Sequence, residues 1–172
     1  MAARLRAAAG SGLARIDHIG STAVPGLSAK DVIDVQLTVA TLAQASGWLA
    51  ALRRVGFRRG EDWQYDIFHP LPSDSPELRK LYLREPAGER RLHLHVRGAG
   101  RFNARYALLC RDYLRAHAPA RQEYELLKQR AAQLFPTSIE GDLFLKEPVF
   151  HLLYQAAELW AEKVGWQLPQ PE

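Results

Sequence analysis

The chain has 172 residues, of which 47% are hydrophobic and 24% are charged, and its net charge is +4. This length suits one well-buried domain and is too short for two ordinary ones. The single cysteine, Cys110, excludes an internal disulfide framework and a cysteine-built zinc site, and no N-terminal apolar run resembles a signal peptide or membrane span. We therefore expect one cytoplasmic domain over residues 1–172, with no membrane partner.

Arginine dominates the basic residues, supplying 18 of the 23. The middle of the chain is basic, whereas its C-terminal third is acidic. Guanidinium groups suit carboxylate and phosphate oxygens, so the sequence favours an anionic ligand, although abundant arginine also occurs on solvated faces. The pattern does not indicate a specific nucleic-acid partner.

Residues 1–56 predict an α/β arrangement. The run VIDVQLTV is rich in β-branched residues and predicts the strongest strand of the chain. The predicted elements, in chain order, are a short Ala-rich helix ended by Gly10, a strand over LARIDHIG, a loop from Ser21 to Lys30, the strand over residues 31–39, and an amphipathic helix capped by Thr41 and ended by Gly56.

The pattern changes twice in the rest of the chain. Between Phe57 and Gly98 it predicts short strands, first QYDIFHPL and then a hairpin whose strands, residues 80–85 and 91–97, flank Pro86 and Gly88. After Gly100 the hydrophobic period lengthens from about 2 to 3.6 residues, which predicts helices over 101–117, 118–135 and 148–164. The sequence therefore predicts an α+β fold: a mixed β-sheet with flanking helices and a C-terminal helical layer.

Two of the predicted strands carry polar side chains on one face. Alternation in DVIDVQLTV places Asp34 and Gln36 together, and alternation in RLHLHVR places His93 and His95 opposite the apolar residues. If these strands are neighbours, one carboxylate and two imidazoles converge, and Asp34, His93 and His95 can hold a divalent cation such as Mg²⁺, Mn²⁺ or Zn²⁺. The alternative is that both histidines lie half-exposed on a polar sheet face.

The stretch HIGSTAVPGLSAKDVID places small, hydroxyl and basic residues directly before the acidic strand. A glycine lets backbone approach a ligand closely, and hydroxyl, N–H and ammonium groups donate to phosphate oxygens. A Gly-Ser pair ahead of an acidic strand is the arrangement that nucleotidyltransferases use for a triphosphate and its metal. The candidate ligand-binding residues in and beside this loop are His18, Gly20, Ser21, Thr22, Lys30 and Gln36.

Two other interpretations of the same stretch stay open. The loop can be a tight structural turn that needs Gly and Pro for its geometry. Ser21 can also be a nucleophile with His18 or His95 as its base, although the sequence has no Gly-x-Ser-x-Gly elbow.

Five segments of the chain carry a family resemblance: HIGSTAVPGLSAKDVIDVQLTV, LHLHV, FNARYALLCRDYLRAH, YELLKQ and LFLKEPVF. Together they resemble the GrpB family of small bacterial proteins, which also occur as a domain fused to dephospho-coenzyme A kinases. The resemblance implies a nucleotidyltransferase-like fold and places Arg105 and Lys146 in recurrent segments, as ligand-cleft residues or as members of helix-surface ion pairs. It also implies a further N-terminal stretch with a Pro-Trp pair, which this chain lacks. Gln36 occupies the second carboxylate position of active nucleotidyltransferases, and His93 and His95 stand where a third acid is sought.

This set of ligands argues against two-metal chemistry. Two metal ions about 4 Å apart repel strongly, and one carboxylate with two neutral imidazoles does not neutralise them as three carboxylates do. Two hypotheses follow: a nucleotidyl transferase using one metal, with Asp34 and His95 as catalytic residues, or a non-catalytic module that binds a nucleotide or another phosphorylated small molecule. A further carboxylate reaching the site, such as Asp66 or Glu147, favours the first.

Overall fold

The computed structural model describes residues 2–9, 13–43, 45–60, 64–168 and 170. Its strands are β1 (Leu13–Ile19), β2 (Ile33–Val39), β3 (Arg58–Arg59), β4 (Lys80–Arg84) and β5 (Leu92–Gly98). Its helices are α1 (Ala2–Ala9), α2 (Ala45–Arg54), α3 (Phe102–Ala116), α4 (Ala118–Leu134) and α5 (Ile139–Val164), and a short 3₁₀ helix spans Ser21–Ala23.

The five strands form one mixed sheet in the order β1-β2-β5-β4-β3. Strand β2 pairs with β1 in antiparallel and with β5 in parallel orientation, and β4 pairs with β5 in antiparallel orientation. Strand β2 therefore lies inside the sheet beside β1, as its β-branched composition predicts. The predicted hairpin around Pro86 and Gly88 is also confirmed by the pairing of β4 with β5.

One face of the sheet is apolar and carries the main core. Alternate side chains of β2 and β5, including Val35, Leu37, Leu92 and Leu94, are buried there. Helix α1 contributes Leu5 to this core, and α2 contributes Ala45, Leu49 and Leu52. The strict alternation along β2 and β5 sends every second side chain to the other face, which is polar.

The polar face is covered by α3, with α4 and α5 packed beside it. The carbonyl of Ala104 in α3 accepts a hydrogen bond from Gln36 Nε2 at 3.0 Å. Arg111 of the same helix donates to the carbonyl of His18 at the end of β1, at 2.9 Å. The three helices after residue 100 thus form the predicted separate layer, and no helix in the described part of the chain is long and apolar enough to cross a membrane.

Three sequence predictions about element boundaries were wrong. Helix α2 begins at Ala45 rather than directly after Thr41. The segment QYDIFHPL forms a single β-bridge, between Tyr65 and Arg79, instead of a strand. Helix α5 begins after Ser138, whose side chain accepts a hydrogen bond from the Gly141 N–H at 3.0 Å, and it continues through Pro148.

The reason for the α5 error is that proline is common in the first turn of a helix and rare inside one. The predicted end of α5 at Gly165 is confirmed, because this glycine has a left-handed φ of 63°. The predicted end of α1, Gly10, lies outside the described residues.

Candidate functional site

The register of β2 against β5 brings three potential metal ligands together. Asp34 is paired with His93, and the next outward-facing pair contains His95. His93 Nδ1 lies 3.1 Å from Asp34 Oδ1, and His95 Nε2 lies 3.6 Å from the same oxygen. One ligand atom from each residue lies within 4.8 Å of the others, and within the described ranges this is the only such group of three.

The exposure of these side chains leaves them accessible from solvent. Relative exposures of the side chains are 26% for Asp34, 29% for His93 and 14% for His95. The ring of Tyr82 in β4 lies 5.6 and 5.5 Å from the two imidazole rings and forms one wall of the site. A carboxylate with two imidazoles matches the ligand preference of a single divalent transition-metal ion.

The protonation states of Asp34 and His95 at neutral pH suit metal coordination. Burial acts to raise the pKa of Asp34, but hydrogen bonds with His93 and His95 outweigh it and hold this pKa well below its usual range. Burial lowers the pKa of His95 to about 4, although its bond with Asp34 acts in the opposite direction. Asp34 is therefore ionised and His95 neutral near pH 7, as metal ligands must be.

A second carboxylate lies behind His95 without joining the candidate ligands. Lys80 Nζ lies 3.4 Å from His95 Nδ1 and 2.6 Å from Asp66 Oδ1. Arg97 also donates to Asp66, at 2.9 Å through Nε. The charge of Asp66 is therefore compensated by two cations, while Glu147, the other carboxylate considered from sequence, pairs with the exposed His69 elsewhere.

Glycine is required at position 20 because the backbone there lies against the Asp34 carboxylate. A Cβ atom on Gly20 would lie 2.4 Å from Asp34 Oδ2, and the residue has φ 70°. The following Ser21 begins the 3₁₀ helix. Gly20 of the Gly-Ser pair thus lies directly against the acidic residue of β2.

Arginines of α3 hold this loop in place. Arg111 donates to the His18 carbonyl at 2.9 Å, and Arg115 donates to the Ala23 carbonyl at 2.8 Å. The Thr22 hydroxyl lies 2.9 Å from His18 Nε2 and contacts the Val32 carbonyl at 3.5 Å. Thr22 and His18 therefore make contacts that stabilise the loop itself.

The structure does not bring three of the predicted ligand-binding residues into the group formed by Gly20, Asp34, His93 and His95. Gln36 is fully buried, and its amide accepts from Arg97 at 2.6 Å and donates to an α3 carbonyl. His18 is paired with Val35 and so projects to the opposite sheet face from Asp34.

Arg105, the third, donates to Glu158 at 2.9 Å in an ion pair that links α3 to α5. Alternation predicts the face on which a strand residue lies, but it does not predict which helix covers that residue.

Lys30 and Lys146, the remaining predicted cations, come together at the far end of the loop. Their Nζ atoms lie 3.4 and 2.6 Å from the same oxygen of Asp142 in α5. Sequence reasoning missed Lys128 of α4, which donates to the Ser28 carbonyl. It also missed Lys80, although alternation in KLYLR places this lysine on the face of the histidines once the hairpin register is known.

Comparisons with known proteins agree with this architecture. The family model described as GrpB protein matches residues 1–156. The crystal structure of conserved protein GrpB from Enterococcus faecalis has a TM-score of 0.73, with 24% identity over 92% of this chain and 90% of that chain. The fold is the α+β, nucleotidyltransferase-like fold that the sequence predicts.

Longer curated proteins also resemble this chain. A dephospho-CoA kinase from Mycolicibacterium paratuberculosis is 35% identical over 95% of this chain, which spans 44% of that protein. The UPF0157 protein YqkA from Bacillus subtilis is 28% identical over 91% of this chain and 42% of its own length. The chain thus spans less than half of either relative, and its near-complete match to the family model shows that it belongs to the GrpB family.

Proposed function

We propose that this protein binds a phosphate-bearing ligand, a nucleotide or another phosphorylated small molecule, together with one divalent cation. The observation that carries the proposal is the contact between the Gly20–Ser21 turn and Asp34, whose carboxylate also meets His93 and His95. Donors suited to phosphate and ligands suited to a metal therefore share one end of the sheet.

Asp34, His93 and His95 would hold the cation. A bound divalent ion supplies positive charge that orients and neutralises phosphate oxygens. The described residues place one carboxylate among the ligands, since Asp66 is neutralised by Lys80 and Arg97. This carboxylate count supports a single ion, and it favours the binding module over the one-metal transferase, for which a further carboxylate at the site was the supporting observation.

Names of the relatives indicate which ligands to screen first. Proteins named dephospho-CoA kinase match nearly the whole chain, so we include dephospho-CoA with ATP, ADP and AMP. A thermal-shift screen of these ligands, with and without Mg²⁺, Mn²⁺ or Zn²⁺, detects any that bind the folded state.

The metal half of the proposal is tested by calorimetric titration with Mn²⁺ or Zn²⁺. We expect one ion per chain, and we expect His93→Ala to weaken its binding by about a hundredfold or more, because even residues that only orient a ligand are worth 10–100-fold. His69→Ala is the matched control, since His69 pairs with Glu147 outside the site. Equal affinity of both variants and the wild type would exclude this metal site.

The phosphate half is tested by titration with ATP in the presence of the same metal. Ser21→Ala and Lys30→Ala should each bind less tightly, by roughly ten- to a hundredfold for a charged hydrogen bond. The exposed residues Ser73 and Lys163 provide matched alanine controls. If Ser21→Ala and Lys30→Ala bind ATP as the wild type does, the loop is a structural turn.

A further inference from the structure

Two of the five lysines in the chain contact one buried carboxylate, and a third contacts the loop that carries one of them, although arginine is the commoner basic residue. Lys30 and Lys146 both contact Asp142 Oδ2, and the Asp142 side chain is only 6% exposed. Lys128 approaches from α4, donates to the Ser28 carbonyl and is close enough to Lys146 for their charges to repel. We call Lys30, Lys128 and Lys146 the lysine cluster.

The lysine cluster lies on the loop that leads into the candidate metal site. Lys30 is four residues before Asp34, and Lys128 donates to the carbonyl of Ser28 in the same loop. Lys128 Nζ also lies 5.6 Å from the ring centroid of Tyr124, one turn earlier in α4. One loop therefore joins the Gly20–Ser21 turn, the lysine cluster and Asp34.

The charge balance of this region depends on the metal. The carboxylates that act on Lys128 are Glu125, Asp142 and Asp34, and Glu125 also accepts a hydrogen bond from the Ser28 N–H at 3.1 Å. A divalent cation on Asp34 would add positive charge to this region, which a ligand with several negative charges would neutralise.

The environment of Lys128 supports the same conclusion. Burial is the largest cause that lowers the pKa of Lys128, to about 8, and repulsion by Lys146 lowers it further. Glu125, Asp142 and Asp34 act in the opposite direction but do not restore the usual value. An additional anion beside Lys128 would stabilise its charged form.

From this geometry we propose that the lysine cluster binds the second phosphate of a ligand that carries a diphosphate group. The first phosphate is then held by the metal and the Gly20–Ser21 turn. The inference rests on the proposed function and narrows its ligand class, from any phosphorylated small molecule to nucleoside di- and triphosphates or inorganic pyrophosphate. Compact ammonium groups on three separate segments suit the oxygens of a flexible phosphate chain.

The test is calorimetric titration in Mn²⁺ with AMP, ADP, inorganic phosphate and inorganic pyrophosphate. The wild type should bind ADP more tightly than AMP, and pyrophosphate more tightly than phosphate, by roughly ten- to a hundredfold. Lys128→Gln and Lys146→Gln should lose most of this preference while still binding AMP. Comparison of ADP with pyrophosphate shows whether a nucleoside is also recognised.

Lys163→Gln is the matched control, since Lys163 is exposed at the end of α5. Lys30→Gln keeps the test valid if a helix variant fails to fold, because the Lys30 side chain is 67% exposed and its loss leaves the core intact. Equal binding of AMP and ADP, or an unchanged preference in the folded variants, overturns the lysine-cluster inference alone. If none of these compounds binds, both the lysine-cluster inference and the proposed function are overturned.

Discussion

Replacement of Gly20 by alanine tests whether the turn before β2 and the metal ligands form one unit. The new Cβ would lie 2.4 Å from Asp34 Oδ2 and 2.9 Å from its Cγ. The backbone there has φ 70° and ψ −169°, a region essentially restricted to glycine, so the strain is of order 1–3 kcal/mol. The Asp34 carboxylate must also move and weaken its bond with His93, which is worth roughly 1.5–3 kcal/mol.

Together these effects should lower the free energy of unfolding by about 2.5–6 kcal/mol and weaken Mn²⁺ binding by roughly tenfold or more. Urea denaturation measures the first quantity, and calorimetry measures the second. Gly26→Ala is the matched control, because Gly26 also has a positive φ, 76°, but a Cβ there would meet no atom within 4 Å.

Gly26→Ala should therefore lower stability by about 1–2 kcal/mol, the cost of a left-handed backbone for a residue with a side chain, and leave metal binding unchanged. If the two variants lose the same stability and both bind Mn²⁺ like the wild type, the contact between Gly20 and Asp34 does not organise the site.

Three further predictions concern residues outside the candidate metal ligands. Gln36→Asp should destabilise the fold by about 1–3 kcal/mol, because a buried α3 carbonyl loses its donor, and it should not make ATP binding dependent on Mg²⁺. Urea denaturation and ATP titration with Mg²⁺ test this. New Mg²⁺ dependence of ATP binding would contradict it. Arg105→Gln should leave ATP affinity unchanged and lower stability by no more than about 1 kcal/mol, since its ion pair with Glu158 is partly exposed. Burial acts to raise the pKa of Glu85, but hydrogen bonds, with Arg84 first, hold it at about 2. Glu85 therefore contributes stability that is present above its pKa in the unfolded chain and lost as the pH falls towards 2. Denaturation at pH 7 and at pH 3 tests this, because between these two pH values the free energy of unfolding should fall less for Glu85→Gln than for the wild type.

The polar face of the sheet could be predicted from sequence because side chains alternate with a period of two residues in a strand. This rule places Asp34 in β2 and His93 and His95 in β5 opposite the apolar residues. That β2 and β5 are neighbours did not follow from spacing; it followed from the resemblance to a known fold, and the strand pairing confirms it. Local periodicity and family resemblance together were sufficient for these three residues.

Burial and pairing could not be predicted in the same way. Gln36 lies on the same face as Asp34 and two residues away, yet α3 crosses directly above it and its amide is fully enclosed. Arg105 is separated in sequence by 53 residues from the carboxylate that neutralises it. Lys128 and Lys146 show no relation to Lys30 until α4 and α5 pack beside the loop.

The sequence by itself determined the alternation of β2 and β5, the helical character of the chain after residue 100 and the turn chemistry around Gly20, because backbone geometry and local side-chain preference act over a few residues. Only the tertiary structure decided which charged groups are neutralised by one another and which lie beside the candidate metal ligands. The physical reason is that Asp66, Arg105 and the lysine cluster obtain their partners from distant segments, and those partners are set by how the helices pack on the sheet.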